Sequence, residues 1–286
     1  MTATPMTPDR RLTLARPDLA DAALEGVVPA TRYVVPTRRR ITVGLVDLRP
    51  QPRPDTSIDT QALMGEALDV LEIDEDGFAF ARLVRDGYVG WLSADALGEV
   101  EPAPTHRVAE VRTFLYAGPS LKQPIADWLS LGAEVAVVET RGDYAHVPGA
   151  GWIFARHLAA LDAPPEPDFV AVAERFLETP YLWGGVSSLG LDCSGLVRAG
   201  LHAAGRACPR DTDMQEAFFE DIVPDGAPLR RGDLVFWRGH VGIMQDGTRL
   251  LHANGWHMKV ASEPFATARA RILEKSFGPV TSVRRP

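Results

Sequence analysis

The 286-residue sequence predicts an α+β protein, with a β-rich N-terminal part and a C-terminal unit that mixes helices and strands. Three observations carry this. Apolar and polar residues alternate with period two in short runs between about residues 33 and 161, broken by turn residues at roughly 8–12-residue spacing. A block of sequence recurs inside that stretch. Beyond a Pro-rich segment, apolar residues switch to the three-and-four spacing of helices. With 25 Gly and 23 Pro, turns are frequent, which argues against an all-helical chain.

Taken in order, residues 1–32 read as an N-terminal extension, with a short helical segment from Asp18 to Leu24 and a turn at Pro29. Strands follow at Ile41-Thr42-Val43, Val46-Asp47-Leu48, Leu68 to Ile73, Ala79 to Leu83 and Tyr88 to Leu92. Gly65, Val70-Leu71-Glu72 and Gly90-Trp91-Leu92 then recur as Gly132, Val137-Val138-Glu139 and Gly151-Trp152-Ile153. The offset is 67 residues for the first two pairs and 61 for the third, so six residues are lost from the intervening hairpin. This predicts two small barrels or sandwiches, at 33–102 and 103–163. The linker Ala163-Pro164-Pro165-Glu166-Pro167 is semi-rigid by composition. Residues 164–286 form the last unit, which starts with a helix capped by Asp168, runs through Phe169, Val172, Ala173, Phe176 and Leu177, and ends at Thr179-Pro180.

The chemistry concentrates in that last unit. Asp192 is a good N-cap for a helix through Leu196, Val197, Leu201 and Ala204 that stops at Gly205. Cys193 thus falls in the first helical turn, where the macrodipole and free amides favour the thiolate, the nucleophilic form. A thiol nucleophile needs a base and a group to orient that base. His240 begins a strand after the tight turn Arg238-Gly239. His252, on the short strand Leu250 to Ala253, can lie behind it on an antiparallel neighbour.

Four motifs occur in order: Tyr181-Leu182-Trp183-Gly184-Gly185, Asp192-Cys193-Ser194-Gly195-Leu196-Val197, Gly239-His240-Val241-Gly242-Ile243 and His252-Ala253. Over about the last 120 residues this resembles the NlpC family of bacterial cell-wall peptidases, which implies a papain-like catalytic domain. The Gly-Trp endings of the two repeats resemble bacterial SH3-like domains, and one branch of the family carries two such domains before the peptidase. The resemblance implies Cys193 as nucleophile, His240 as base, His252 as orienting residue, and Tyr181 at the oxyanion site beside the Cys193 amide. A phenol can donate to a developing oxyanion.

For that branch the expected reaction is hydrolysis of the γ-D-glutamyl–diamino acid amide in murein tripeptides or tetrapeptides with a free N-terminal L-Ala. Asp192 is then the first candidate for the substrate ammonium, assisted by Glu66 and Tyr88 from the first SH3-like domain. Arg210, Thr212 and Ser194 are candidates for the D-Glu α-carboxylate. Thr212 stands where the family more often has Ser, and a hydroxyl is kept. Trp183 is expected to wall the cleft. The competing expectations are an envelope endopeptidase acting on polymeric wall, an acyltransferase or lipid hydrolase, and a non-catalytic wall-binding protein.

Composition narrows the partners. A net charge of -8 argues against nucleic acid, and the longest basic run, Arg38-Arg39-Arg40, reads as a solvated edge. The first residues lack an apolar h-region and no apolar run approaches 18 residues, so neither a signal peptide nor a membrane partner is expected, which points to the cytoplasm. Cys208 reads as a small buried residue. No Cys-x-x-Cys or His-Glu-x-x-His spacing is present, and His202 and His257 have no ligand partners in sequence, so no metal or cofactor is expected. Oligomeric state is not encoded in any pattern.

Overall fold

A computed structural model describes residues 8–286; the first seven residues of the extension lie outside the described part. The fold is α+β. Two β units are followed by a mixed unit, and the two β units share one strand-pairing scheme.

In the first unit the strand Thr37–Ile41 pairs with both Ala67–Ile73 and Leu97–Gly98. The sheet continues through Phe78–Leu83 to Val89–Ser93, while Leu45–Leu48 pairs with Thr60–Leu63. In the second unit His106–Val108 plays the part of the first strand, pairing with Glu134–Val135 and Leu158–Ala160. Glu139–Arg141, Tyr144–Val147 and Gly151–Phe154 pair in sequence, and Arg112–Tyr116 pairs with Ile125–Ser130. The repeat therefore has a physical anchor. Gly65 and Gly132 both adopt positive φ, +87° and +85°, and their amides donate to Ile41 O at 2.9 Å and Val108 O at 3.0 Å. Only glycine takes that conformation without strain. At Gly65 a Cβ would also meet the Glu134 carbonyl oxygen at 2.1 Å, so this glycine lets the two units approach each other.

Two expectations change here. The segment Asp18 to Leu24 is a strand, Leu19–Asp21, then a single 3₁₀ turn, Ala22–Leu24, capped by Asp21; pairing of Leu19–Asp21 with Arg32–Val34 outweighs the local helical preference. The run Arg38-Arg39-Arg40 lies in an internal strand of its sheet. Its charges are matched locally, Arg38 by Asp69 at 2.6 Å and Arg39 by Glu99 at 3.1 Å.

In the C-terminal unit α1 (Phe169–Glu174) begins at Asp168, whose carboxylate accepts from the Val170 amide at 2.9 Å. Helix α2 (Cys193–Ala203) packs on it, and at Gly200 a Cβ would meet Phe169 O at 2.7 Å, which fixes the close approach. A five-stranded antiparallel sheet follows in the order Lys259–Pro264, Arg249–Asn254, His240–Met244, Leu234–Trp237, Val280–Arg284. Phe169, Phe176, Leu196, Val197 and Leu201 from the helical side bury against Phe236, Val241, Ile243 and Leu251 of the sheet. Each such side chain contributes about 1.5–3 kcal/mol on burial. Helices α3 (Thr212–Phe218) and α4 (Phe265–Lys275) complete the unit.

Polar contacts join the β units to this core. Gln61 accepts from the Val186 amide at 3.1 Å, Ser130 from the Ser188 amide at 3.0 Å, and Arg198 on α2 meets Asp86 at 2.8 Å with both side chains buried.

Candidate active site

Helix α2 places Cys193 at its first position. The Asp192 cap accepts from the Gly195 amide at 2.7 Å, so the chain enters the helix at Cys193. The Cys193 sulfur lies 3.8 Å from Thr212 Oγ1, and the Val241 and Ser194 amides favour its charged form. Burial and the neighbouring Asp192 carboxylate push the thiol up to about 11, with the amides opposing. The helix N-terminus therefore does not produce a resting thiolate, contrary to the macrodipole argument, because desolvation of the charged form is the larger effect.

His240, the expected base, is held rigidly. The register pairs Ile243 with Leu251 and Met244 with Leu250, which puts His240 and His252 on one face of adjacent strands. His240 Nε2 lies 2.9 Å from His252 Nδ1. Phe277 stacks on the His240 ring at 5.1 Å and Trp237 flanks it at 5.6 Å. Burial, and then the like charge that His252 and Arg271 would present, holds His240 well below the ordinary imidazole range, so it is neutral at neutral pH.

The chain of contacts runs further than the sequence reading reached. His252 Nε2 is 2.8 Å from Glu263 Oε1, and Arg271 on α4 donates to both Glu263 oxygens, at 2.7 and 2.5 Å. Against its burial, these hydrogen bonds hold the Glu263 carboxyl down at about 2. His252, His257 and Glu263 converge within 4.8 Å, a grouping the sequence reading did not foresee for His257. The Arg271 guanidinium on both Glu263 oxygens makes it a poor donor set for a cation.

Cys193 opens into a cleft of about 330 Å³. One side is lined by Tyr181, Trp183, Asp192, Ser194, Thr212 and Gly239, the other by Tyr88 and Asp59 of the first β unit together with Arg10 and Arg11 of the extension. Tyr181 is half-buried beside Cys193, and Trp183 is 65% exposed, a cleft wall rather than core packing. Tyr88 donates its hydroxyl to Asp211 Oδ2 at 3.1 Å.

Three expected binding roles need correction. Glu66 is not in this cleft. It lines a second cavity, of about 360 Å³, on the far side of α2, where Arg85 lies 3.6 Å from its carboxylate. Arg210 is only 1% exposed and turned inward. It donates to Asp192 Oδ1 at 3.1 Å and Oδ2 at 2.7 Å, to Ser194 Oγ at 2.8 Å and to Thr60 Oγ1 at 2.7 Å, so it orients Asp192 instead of holding a substrate carboxylate. Asp192 accepts from Ser194 Oγ, the Gly195 and Gly184 amides and Arg210 twice, which fills its lone pairs and leaves none for an ammonium.

The carboxylates available in the cleft are ones the sequence reading passed over. Asp59 pairs with Arg10 at 2.9 Å, and Asp211 pairs with Arg11 at 2.8 Å. Asp211 stands between Arg210 and Thr212, two of the expected binding residues, at the position before α3, and that was its signal. Asp59 sits in a loop with no pattern. Glu263 lies on the strand beside His252, eleven residues on, and only the register reveals it.

Residues 178–272 match the NlpC/P60 family, and residues 48–97 match the bacterial dipeptidyl-peptidase Sh3 domain. The chain is 28% identical over 223 residues to a gamma-D-glutamyl-L-lysine dipeptidyl-peptidase of Bacillus subtilis (strain 168), covering 70% of this chain and 73% of the relative. It is 27% identical over 203 residues to a protein of the same name from Bacillus cereus, covering 63% of this chain and 60% of that one. Its fold is shared with the crystal structure of an NlpC/P60 family protein from Bacillus cereus, at a TM-score of 0.72 and 20% identity, covering 87% of this chain and 99% of the other. Motif order, strand register and the two matches agree: residues 178–272 match the NlpC/P60 family, and residues 48–97, ahead of them, match a bacterial dipeptidyl-peptidase Sh3 domain.

Proposed function

We propose that the protein is a cysteine peptidase that hydrolyses the γ-D-glutamyl–diamino acid amide of short murein peptides with a free N-terminal L-Ala, in cytoplasmic recycling of wall peptides. One observation carries this reading. The cleft at Cys193 is walled on one side by Tyr88, Asp59 and the arginines of the extension, so it suits a short peptide with a free end better than a polymer. The names of the two Bacillus relatives point the same way.

The geometry supports a general-base route. Since thiol and imidazole are both neutral at rest, His240 takes the Cys193 proton as the sulfur attacks the γ-carbonyl. The developing oxyanion is received by the Cys193 amide and the Tyr181 hydroxyl, both preorganised at the cleft. Collapse expels the diamino acid amine, which takes the proton back from His240, and water then hydrolyses the thioester with His240 again as base. Burial, then the charges of Cys193 and Asp192, pushes the Tyr181 phenol upward, so it stays a donor throughout. Asp211, oriented by Tyr88, and Asp59 offer the carboxylates for the substrate ammonium. Ser194 and Thr212 supply hydroxyls at the same cleft.

The test compares L-Ala-γ-D-Glu-meso-diaminopimelate, its lysine counterpart and their N-acetylated forms, following release of the diamino acid by mass spectrometry with Cys193→Ala as control. Cleavage restricted to the free-amine peptides, and lost in the control, is the expected result. Equal cleavage of acetylated peptides would favour an envelope-type endopeptidase, and no cleavage of either would remove the peptidase reading.

A further inference from the structure

We propose that Glu263 is a positioning residue of the catalytic site: held by Arg271, it fixes the ring protons of His252 and His240 so that His240 presents a bare Nδ1 to the Cys193 thiol. The proposal deepens the thiol-peptidase reading above and rests on it.

A count of protons along one line of contacts fixes both tautomers. Glu263 is ionised and can only accept. Its Oε1 lies 2.8 Å from His252 Nε2, so that nitrogen carries the proton. His252 is neutral at neutral pH, burial lowering its affinity for a second proton more than Glu263 raises it. Its Nδ1 is therefore bare and accepts, at 2.9 Å, from His240 Nε2. His240 is neutral too, and its proton is now spent on Nε2. The lone pair left over is on Nδ1, the nitrogen turned away from His252. Two imidazoles in series transmit the choice of tautomer without loss, because each neutral ring has one proton to place.

Arg271 makes this a matter of proton placement more than of charge. On His240 the effects of Glu263 and Arg271 have opposite signs, so the ion pair largely cancels at that distance. What survives is the identity of the atom facing His252 Nε2. The other charged or titratable neighbour of Glu263 is His257, whose Nδ1 lies 3.9 Å from Oε1 and is 3.0 Å from Asn254 Oδ1. Since that Asn254 oxygen also receives the His257 amide, His257 is held from its own side of the strand and does not compete for the acceptor.

Glu263→Leu and Glu263→Gln together test the idea, because only the second keeps an acceptor for His252 Nε2. In Glu263→Gln both the His252 Nε2–H and an Arg271 N–H point at the Oε1 position, so the amide oxygen seats there and the original tautomers are kept. In Glu263→Leu nothing holds the proton on His252 Nε2, both rings are free to take either tautomer, and the fraction of His240 with a bare Nδ1 falls. We expect kcat of Glu263→Leu to fall on the order of 10²-fold with KM nearly unchanged, the direction seen for other triads given the wrong tautomer. Alkylation of Cys193 by iodoacetamide should slow in parallel. Long-range ¹H–¹⁵N spectra should show Nε2–H on both rings in the wild type and in Glu263→Gln, and a mixture of Nε2–H and Nδ1–H in Glu263→Leu. Glu263→Gln should keep a kcat at least about tenfold above that of Glu263→Leu.

A Glu263→Leu protein that keeps Nε2–H on both rings, or whose loss of activity is matched by Glu263→Gln, overturns the proposal. Should Glu263→Leu not fold, Glu263→Gln still decides, since an Nδ1–H tautomer there contradicts it. Should the wild type cleave no murein peptide, the substrate reading falls, while the ring spectra and the alkylation rates still decide the role of Glu263.

Discussion

At Cys193 two effects compete, and their sizes choose the mechanism. A helix N-terminus favours an anion by about 0.3–1 kcal/mol in ordinary settings. Burial beside Asp192 acts the other way and carries the thiol up to about 11. Because the value is raised, the thiolate is scarce at neutral pH and accumulates only as pH climbs through that value. Iodoacetamide alkylation of the free enzyme is therefore expected to keep rising by about tenfold per pH unit from neutrality past pH 9. A plateau below pH 8 would mean a preformed thiolate–imidazolium pair and would falsify the general-base route. The placement of Cys193, His240 and His252 was legible in the sequence because local signals carry it: a cap before Cys193, a tight turn before His240, a short strand around His252. Residue type alone misled at Arg210 and Glu66. An arginine and a glutamate suit the charged ends of the proposed substrate, but the fold turns Arg210 inward onto Asp192 and carries Glu66 to the other side of α2. No local pattern reports which way a side chain faces once two units pack together.

Among the elements, the N-terminal extension departs furthest from its sequence reading, which gave it no role. It is pinned beside Tyr88, where the Val89 amide donates to Arg11 O at 2.7 Å. The Arg11 side chain then bridges Asp211 and Asp213 at the start of α3, at 2.8 and 2.7 Å. Asp211 precedes α3 without making a side-chain cap hydrogen bond, so its carboxylate orientation depends on Arg11 and Tyr88. The Arg11 guanidinium is partly exposed and Asp213 mostly so, and solvent screening limits the stability at stake to about 1 kcal/mol. The consequence belongs to binding. Arg11→Ala should raise KM for the free-amine peptide several-fold while kcat changes less, and added salt should raise the wild-type KM but add little in the variant. Steady-state kinetics at low and high salt check this. An unchanged KM would show that Asp211 is held by Tyr88 alone. The strand elements, by contrast, were largely visible in advance. Period-two alternation and the 67-residue offset located both β units, and Gly65 with Gly132 shows why the repeat survives divergence: each must take positive φ.

For the molecule as a whole, the joint between the first β unit and α2 decides whether the cleft exists. Tyr88 and Asp59 reach the catalytic side only if that unit is fixed against the helix that starts at Cys193. The fixing contact nearest the helix core is Arg198 with Asp86, at 2.8 Å and with side chains 4% and 3% exposed. A buried pair of this kind gives little net stability over an apolar substitute, yet removing one partner strands a charge. Asp86→Ala should therefore lower the free energy of unfolding by about 3–5 kcal/mol, whereas Asp86→Leu/Arg198→Met should recover most of it. Urea titrations of the three proteins measure the difference. The kinetic readout separates stability from geometry. If the pair also sets the position of the β unit, the double variant will be stable and yet show a raised KM, because an apolar contact holds the surfaces together without fixing their angle. If both stability and KM return to wild-type values, the joint is positioned by its other contacts, Gln61 to Val186 and Thr60 to Arg210, and the Arg198 pair is merely accommodated there.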